Sequence, residues 1–137
     1  MSRTVGSRSG TIRYVDQTFL ADCRARLAFD LLANTWNAVV LWALRQGPLR
    51  HGELRDRIGG ISQKVLTETL RRLEFNGLVT RRGYGGSSPR VAYELTELGR
   101  TLLAPIDAFG AWAFEHGDEV MEAQERHRLA GRYTRDS

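Results

Sequence analysis

The sequence predicts a mainly helical α+β domain, a winged helix-turn-helix with dimerisation helices at its N- and C-terminal ends. Three observations predict it. Apolar residues recur at helical spacing from Leu27 to Leu73. A Gly59-Gly60 turn separates a short helix from a longer, well-capped one. Two strand-like runs then flank a Gly-rich loop and carry arginines.

The chain has 137 residues, 42% of them hydrophobic, which suits one compact domain with short tails. Residues 1–16, polar and rich in Gly, Ser and Arg, are expected to form a flexible arm, and residues 126–137 a flexible tail. The domain between them spans 17–125. A first helix is predicted from about Thr18 to Ala33, with Leu27, Ala28, Leu31 and Leu32 on one side. Asn34 or Thr35 caps the next helix, which runs to about Arg45. Trp36, Val39, Val40, Ala43 and Leu44 line one face of it, and Leu41 and Trp42 the other. A helix apolar nearly all round belongs in the centre of a fold. Gly47-Pro48 ends it.

The helix-turn-helix is predicted over about 51–76. Leu54 and Ile58 are the apolar pair of the short helix. Ser62 caps the helix from Gln63 to about Asn76, whose inward stripe is Leu66, Leu70 and Leu73, and Gly77 closes it. The wing is predicted over about 78–95 as a two-stranded hairpin of 78–84 and 91–95 around 85–89. Thr96 caps a final helix over about 97–125, with Leu98, Leu102, Ile106, Phe109 and Ala113 at helical spacing. Pro105 lies inside that pattern and is expected to kink or break it.

The net charge is +4, unevenly distributed. Arg45 to Arg100 holds 11 basic and 6 acidic residues, a net of +5, and the remainder nets −1. A basic middle points to a polyanionic partner. The inward stripe of the second helix commits that side to the core and frees the side bearing Gln63, Lys64, Thr67, Glu68 and Arg71 for a major groove. Arg71 can pair with guanine or a phosphate, Gln63 with adenine, and the Thr67 methyl can touch a thymine methyl. Ser62 and the helix N-terminus suit a phosphate. Arg81, Arg82 and Arg90 surround the wing loop, where they can meet the backbone or minor groove.

Several stretches resemble the HxlR-type winged-helix regulators. They are Trp36 with its apolar helix, Gly47-Pro48-Leu49-Arg50-His51-Gly52-Glu53-Leu54 and Gly60-Ile61-Ser62-Gln63-Lys64-Val65-Leu66-Thr67. Leu70-Arg71-Arg72-Leu73-Glu74, Gly77-Leu78-Val79 and the run from Pro89 to Gly99 continue the likeness, which covers about Cys23 to Trp112. The resemblance implies a homodimeric regulator that binds a palindromic operator in double-stranded DNA, by default as a repressor. It also implies a dimer interface made by the first and last helices. On it, Ser62, Lys64, Thr67 and Arg71 are base or phosphate contacts and Arg90 a wing contact. Cys23 matches the position of a redox-sensing cysteine in some members. The sequence departs from the family at Cys23-Arg24, where Cys-Pro is frequent, and at Ala33-Asn34-Thr35-Trp36, where a basic residue is missing.

Two effectors are compatible with these residues. With Asp22 as N-cap, Cys23 would sit in a first helical turn, where the helix dipole, Arg24 and Arg26 favour a thiolate and Asp22 opposes it. The alternative is a buried, inert cysteine. Trp36, Trp42, Phe109, Trp112 and Phe114 either line a pocket for a small aromatic molecule or fill the core and dimer seam.

Other classes find less support. No apolar run approaches the roughly 18 residues of a membrane span, residues 1–10 lack the apolar stretch of a secretory signal, and a lone cysteine suits a reducing compartment. The expected location is cytoplasmic. His51, His116 and His127 lack metal-ligand spacing, and no Gly-rich phosphate loop joins a strand to a helix. Neither enzyme, metal nor cofactor is expected. The rival reading is a winged-helix adaptor that binds protein without sequence-specific DNA contacts.

Overall fold

The computed structural model describes residues 24–84 and 90–136. The expected arm at 1–16, Cys23 and the wing tip at 85–89 lie outside the described residues. In chain order the elements are α1 (Arg24–Ala33), α2 (Thr35–Ala43), β1 (Leu49–Arg50), α3 (His51–Ile58), α4 (Gln63–Phe75), β2 (Val79–Tyr84), β3 (Arg90–Leu95), α5 (Glu97–Arg100) and α6 (Leu103–Asp136).

Local chemistry sets most of these boundaries. Asn34 Oδ1 accepts the Trp36 backbone N–H at 3.1 Å and starts α2. Gly59 and Gly60 both have φ of +69°, a conformation that side chains rarely adopt, so the turn between α3 and α4 depends on glycine. Ser62 Oγ accepts the Val65 N–H at 3.1 Å and starts α4. Thr96 Oγ1 accepts the Gly99 N–H at 3.0 Å and donates to the Gly77 carbonyl at 2.7 Å, tying α5 to the end of α4. A Cβ on Gly99 would run into the carbonyl oxygen of Leu78, so this close approach admits only glycine.

Leu54, Leu66, Leu70 and Leu73 are fully or almost fully buried and meet Val40, Leu41 and Leu44 of the central α2. The polar exceptions in this core are Asn37 and Thr69. Asn37 Nδ2 donates to the Leu31 carbonyl at 2.8 Å, and its Oδ1 accepts from Arg72 Nε at 3.1 Å. One buried amide thus joins α1, α2 and α4.

Three features differ from the sequence expectations. The expected wing hairpin forms, with β2 paired antiparallel to β3, but it is not alone in its sheet. Leu49 and Arg50 form a third strand, giving the antiparallel order β1-β3-β2, with Leu49 opposite Tyr93 and Arg50 opposite Ala92. The final helix breaks at Thr101–Leu102, two residues before α6 begins. Pro105 then sits in the first turn of α6, where a missing N–H costs nothing, so it neither kinks nor ends the helix. The tail expected from Arg126 is instead the last part of α6, which runs to Asp136. Strong helix formers, Glu125, Arg126, Arg128, Leu129 and Ala130, and a Glu125–Arg128 ion pair of 3.0 Å explain the continuation.

The stripes of the terminal helices are only partly buried. Leu27 and Phe29 of α1 are exposed, and so are Leu98 and, beyond Ile106 of α6, Phe109 and Ala113. No helix among the described residues is long and apolar enough to cross a membrane.

Candidate nucleic-acid interface

Helix α4 gives its apolar side to the core and therefore turns Ser62, Gln63, Lys64, Glu68 and Arg71 outward, all exposed. The Ser62 cap leaves the first backbone N–H groups of the helix directed along its axis, where the dipole favours an anion. Arg55 of α3 reaches Gln63 Oε1 at 3.4 Å, a long and weak bond that leaves Gln63 adaptable.

Thr67 is placed differently from its neighbours. It is half-buried, and its hydroxyl donates to the Gln63 carbonyl at 2.9 Å. His51, the first residue of α3, has Nε2 3.0 Å from the same hydroxyl. Since the hydroxyl proton goes to the carbonyl, Nε2 must carry the proton that it shares with Thr67. Burial first, and then the nearby Arg55 charge, hold the imidazole below its ordinary pKa. The neutral ring therefore bridges the two helices of the helix-turn-helix, and the Thr67 hydroxyl is committed inside the protein.

The five cations expected at the interface divide into two sets. Arg81 Nε lies 3.2 Å from Glu74 Oε2, and Arg82 Nη2 lies 2.9 Å from Glu94 Oε1. Both arginines are largely exposed, and exposed pairs are worth only about 0–1 kcal/mol, so a phosphate can displace the carboxylates. Among the described residues, no carboxylate pairs with Lys64, Arg71 or Arg90. Of these five cations, the ones without a carboxylate partner among the described residues thus lie on α4 and at the start of β3, and those of β2 are paired.

Sequence reasoning missed His51 and Arg55 as parts of this surface. Each touches a residue of α4 that no local pattern connects to it.

The aromatic residues read as lining either a pocket or the core and dimer seam do not all meet. Trp42 and Phe109 line one apolar groove of about 990 Å³ between α1, α2 and the start of α6, together with Phe29 and Phe114. Trp36 packs against the core instead. Trp112 lies on another side of α6, its ring centre 5.4 Å from that of His116. Arg45 stacks 4.7 Å over the Trp42 ring and donates to the Trp42 carbonyl at 2.9 Å, closing the end of α2.

The HxlR-like helix-turn-helix family model matches residues 31–121. The chain is 36% identical over 104 residues to an HTH-type transcriptional regulator of Methanothermobacter thermautotrophicus, covering 76% of this chain and 79% of the relative. It is 40% identical over 100 residues to the HTH-type transcriptional regulator YodB of Bacillus subtilis, covering 71% and 89%. Among solved structures, the redox regulator HypR in its reduced form is similar with a TM-score of 0.66 at 31% identity, over 72% of this chain and 97% of HypR.

Proposed function

This chain belongs to the HxlR-like helix-turn-helix family of DNA-binding transcriptional regulators, not of enzymes, and from that premise we propose that it acts as a homodimeric repressor at a palindromic operator. The observation that carries the reading is the capped α4 with its outward face of Gln63, Lys64 and Arg71, backed by a fully buried leucine stripe. In this reading α4 enters the major groove and reads base edges through Arg71 and Gln63. Lys64 and the α4 N-terminus hold phosphates, and Arg90, with Arg81 and Arg82 after they exchange their carboxylates, grips the flanking backbone. The dimer places two reading helices about 34 Å apart, one turn of DNA. The exposed Leu27, Phe29, Phe109 and Trp112 supply apolar surface for the second copy.

A thiol effector is the second reading, because one similar structure is that of a redox regulator and the chain has a single cysteine, Cys23. Oxidation of this thiol to a disulfide with a second copy or with a small thiol would shift the two reading helices relative to each other.

One experiment tests both. Gel-shift titrations on DNA flanking the protein's own gene and on selected random DNA compare wild type, Arg71→Ala and Cys23→Ser, reduced and oxidised, at several salt concentrations. Specific binding that falls steeply with salt and weakens in Arg71→Ala is the expected result. Partner binding indifferent to salt and to Arg71 would favour an adaptor. Release by oxidant in wild type but not in Cys23→Ser supports the thiol reading, and indifference to oxidant removes it.

A further inference from the structure

Helix α6 has 34 residues and is about 51 Å long. Among the described residues only its beginning, Leu103 and Ile106, packs on the core, and from Ala104 to Arg132 no residue is buried. We propose that residues 112–131 of α6 form an antiparallel two-helix seam with the same residues of a second copy, centred between Met121 and Glu122. The inference rests on the dimeric reading above and adds an orientation and a register to it.

The stripe itself is the first argument. Trp112, His116, Val120, Ala123, His127 and Gly131 follow one another in steps of 4, 4, 3, 4 and 4. Together with Phe109 they repeat every 11 residues, close to the natural turn of an α-helix, so they stay on one side over the whole segment. The steps are the same read in either direction. An antiparallel copy therefore sets Trp112 against Gly131, His116 against His127 and Val120 against Ala123 of the second chain. A bulky residue faces a small one at the ends and the middle. A parallel copy would stack Trp112 on Trp112 and leave Gly131 facing Gly131, a bulge followed by a gap.

Charge is the second, independent argument. Residues 103–123 hold Asp107, Glu115, Asp118, Glu119 and Glu122 and no Lys or Arg. Residues 124–136 hold four arginines against Glu125 and Asp136. A parallel pair sets the acidic halves together, and an antiparallel pair sets acidic against basic. Glu115, Glu119 and Arg126 flank the stripe on the same side, the arrangement in which an antiparallel copy brings Arg126 within two positions of both carboxylates. The family match ends at residue 121, so Ala123, His127 and Gly131 lie beyond it.

The test uses the full chain in a Cys23→Ser background, with a single spin-labelled cysteine at Glu122 or at Arg132. Sedimentation and inter-label distances are measured together. The expected result is a dimer in which labels at 122 are separated by little more than the interaxial distance of about 8–10 Å and the label arms. Labels at 132 are then about 32 Å apart along the axis, from the rise of 1.5 Å per residue. Short distances at both sites would mean a parallel pair and overturn the proposal. A dimer with long distances at 122 would overturn it too, assigning this face to another occupant such as residues 1–23 while leaving the dimeric reading intact. A monomer at tens of micromolar would remove the dimeric reading and the seam with it. Glu119→Arg and Arg126→Glu each weaken dimerisation by roughly three- to tenfold, and the double variant restores it to within about twofold. Absence of that rescue would overturn the register.

Discussion

Helices α4 and α6 both carry regular apolar stripes, yet they end in opposite situations. In α4 the stripe of Leu66, Leu70 and Leu73 is at most 1% exposed. In α6 Phe109 and Trp112 remain 60% and 54% exposed, and Phe114 95%. The spacing alone does not separate the two cases. What separates them is what the topology sets opposite each helix. Two helices and a sheet surround α4 and fix its position, so its polar face is presented at a constant angle. Beyond Ile106, no residue of α6 up to Arg132 is buried. The first helix is built to present a polar surface and the second to present an apolar one.

Substitutions can break or sharpen that contrast. Leu70→Ala should cost about 2–5 kcal/mol of stability, measured by denaturant unfolding, and the loss should not depend on protein concentration. Trp112→Ala should leave unfolding of the isolated protomer nearly unchanged and raise its cost only as concentration drives association. Equal, concentration-independent losses at the two sites would erase the contrast. On the polar face, Arg71→Ala should weaken specific DNA binding by about 1–3 kcal/mol in gel-shift titrations, with the fold intact by circular dichroism. Ser62→Ala should cost about 1 kcal/mol of stability, read from the denaturation midpoint, because the Val65 N–H loses its acceptor.

The smallest effect is on pH. His51 is held below its ordinary pKa, so between that lowered value and about 6.5 the unfolded chain binds more protons than the folded one. Stability should therefore fall as pH drops from about 7 through this window. His51→Gln should flatten this part of the profile, followed by denaturation midpoints between about pH 7.5 and 5. An unchanged slope would mean that other groups cause it.

Much of this was legible in the sequence because it depends on near neighbours. The Ser62 and Thr96 caps, the turn at Gly59-Gly60 and the leucine stripe of α4 each follow from residues within a turn or two. The strand of Leu49 and Arg50 was not legible, since two residues show no period and exist as a strand only through pairing with Tyr93 and Ala92. The His51–Thr67 and Asn37–Arg72 bonds cross 16 and 35 positions. The balance of Arg81 and Arg82 by Glu74 and Glu94 likewise depends on the sheet register and on where α4 ends. At the interface the outward residues of α4 could be named from spacing. Which of its cations are free could not.

The buried amide of Asn37 has a mechanical consequence. With one end it grips the backbone of α1, and with the other the Arg72 guanidinium at the rear of α4. If α1 rotates or slides, it either drags α4 with it or breaks a part-buried hydrogen bond of the buried Asn37 amide, which would cost about 1–3 kcal/mol. A small displacement at the N-terminal helix is thereby resisted.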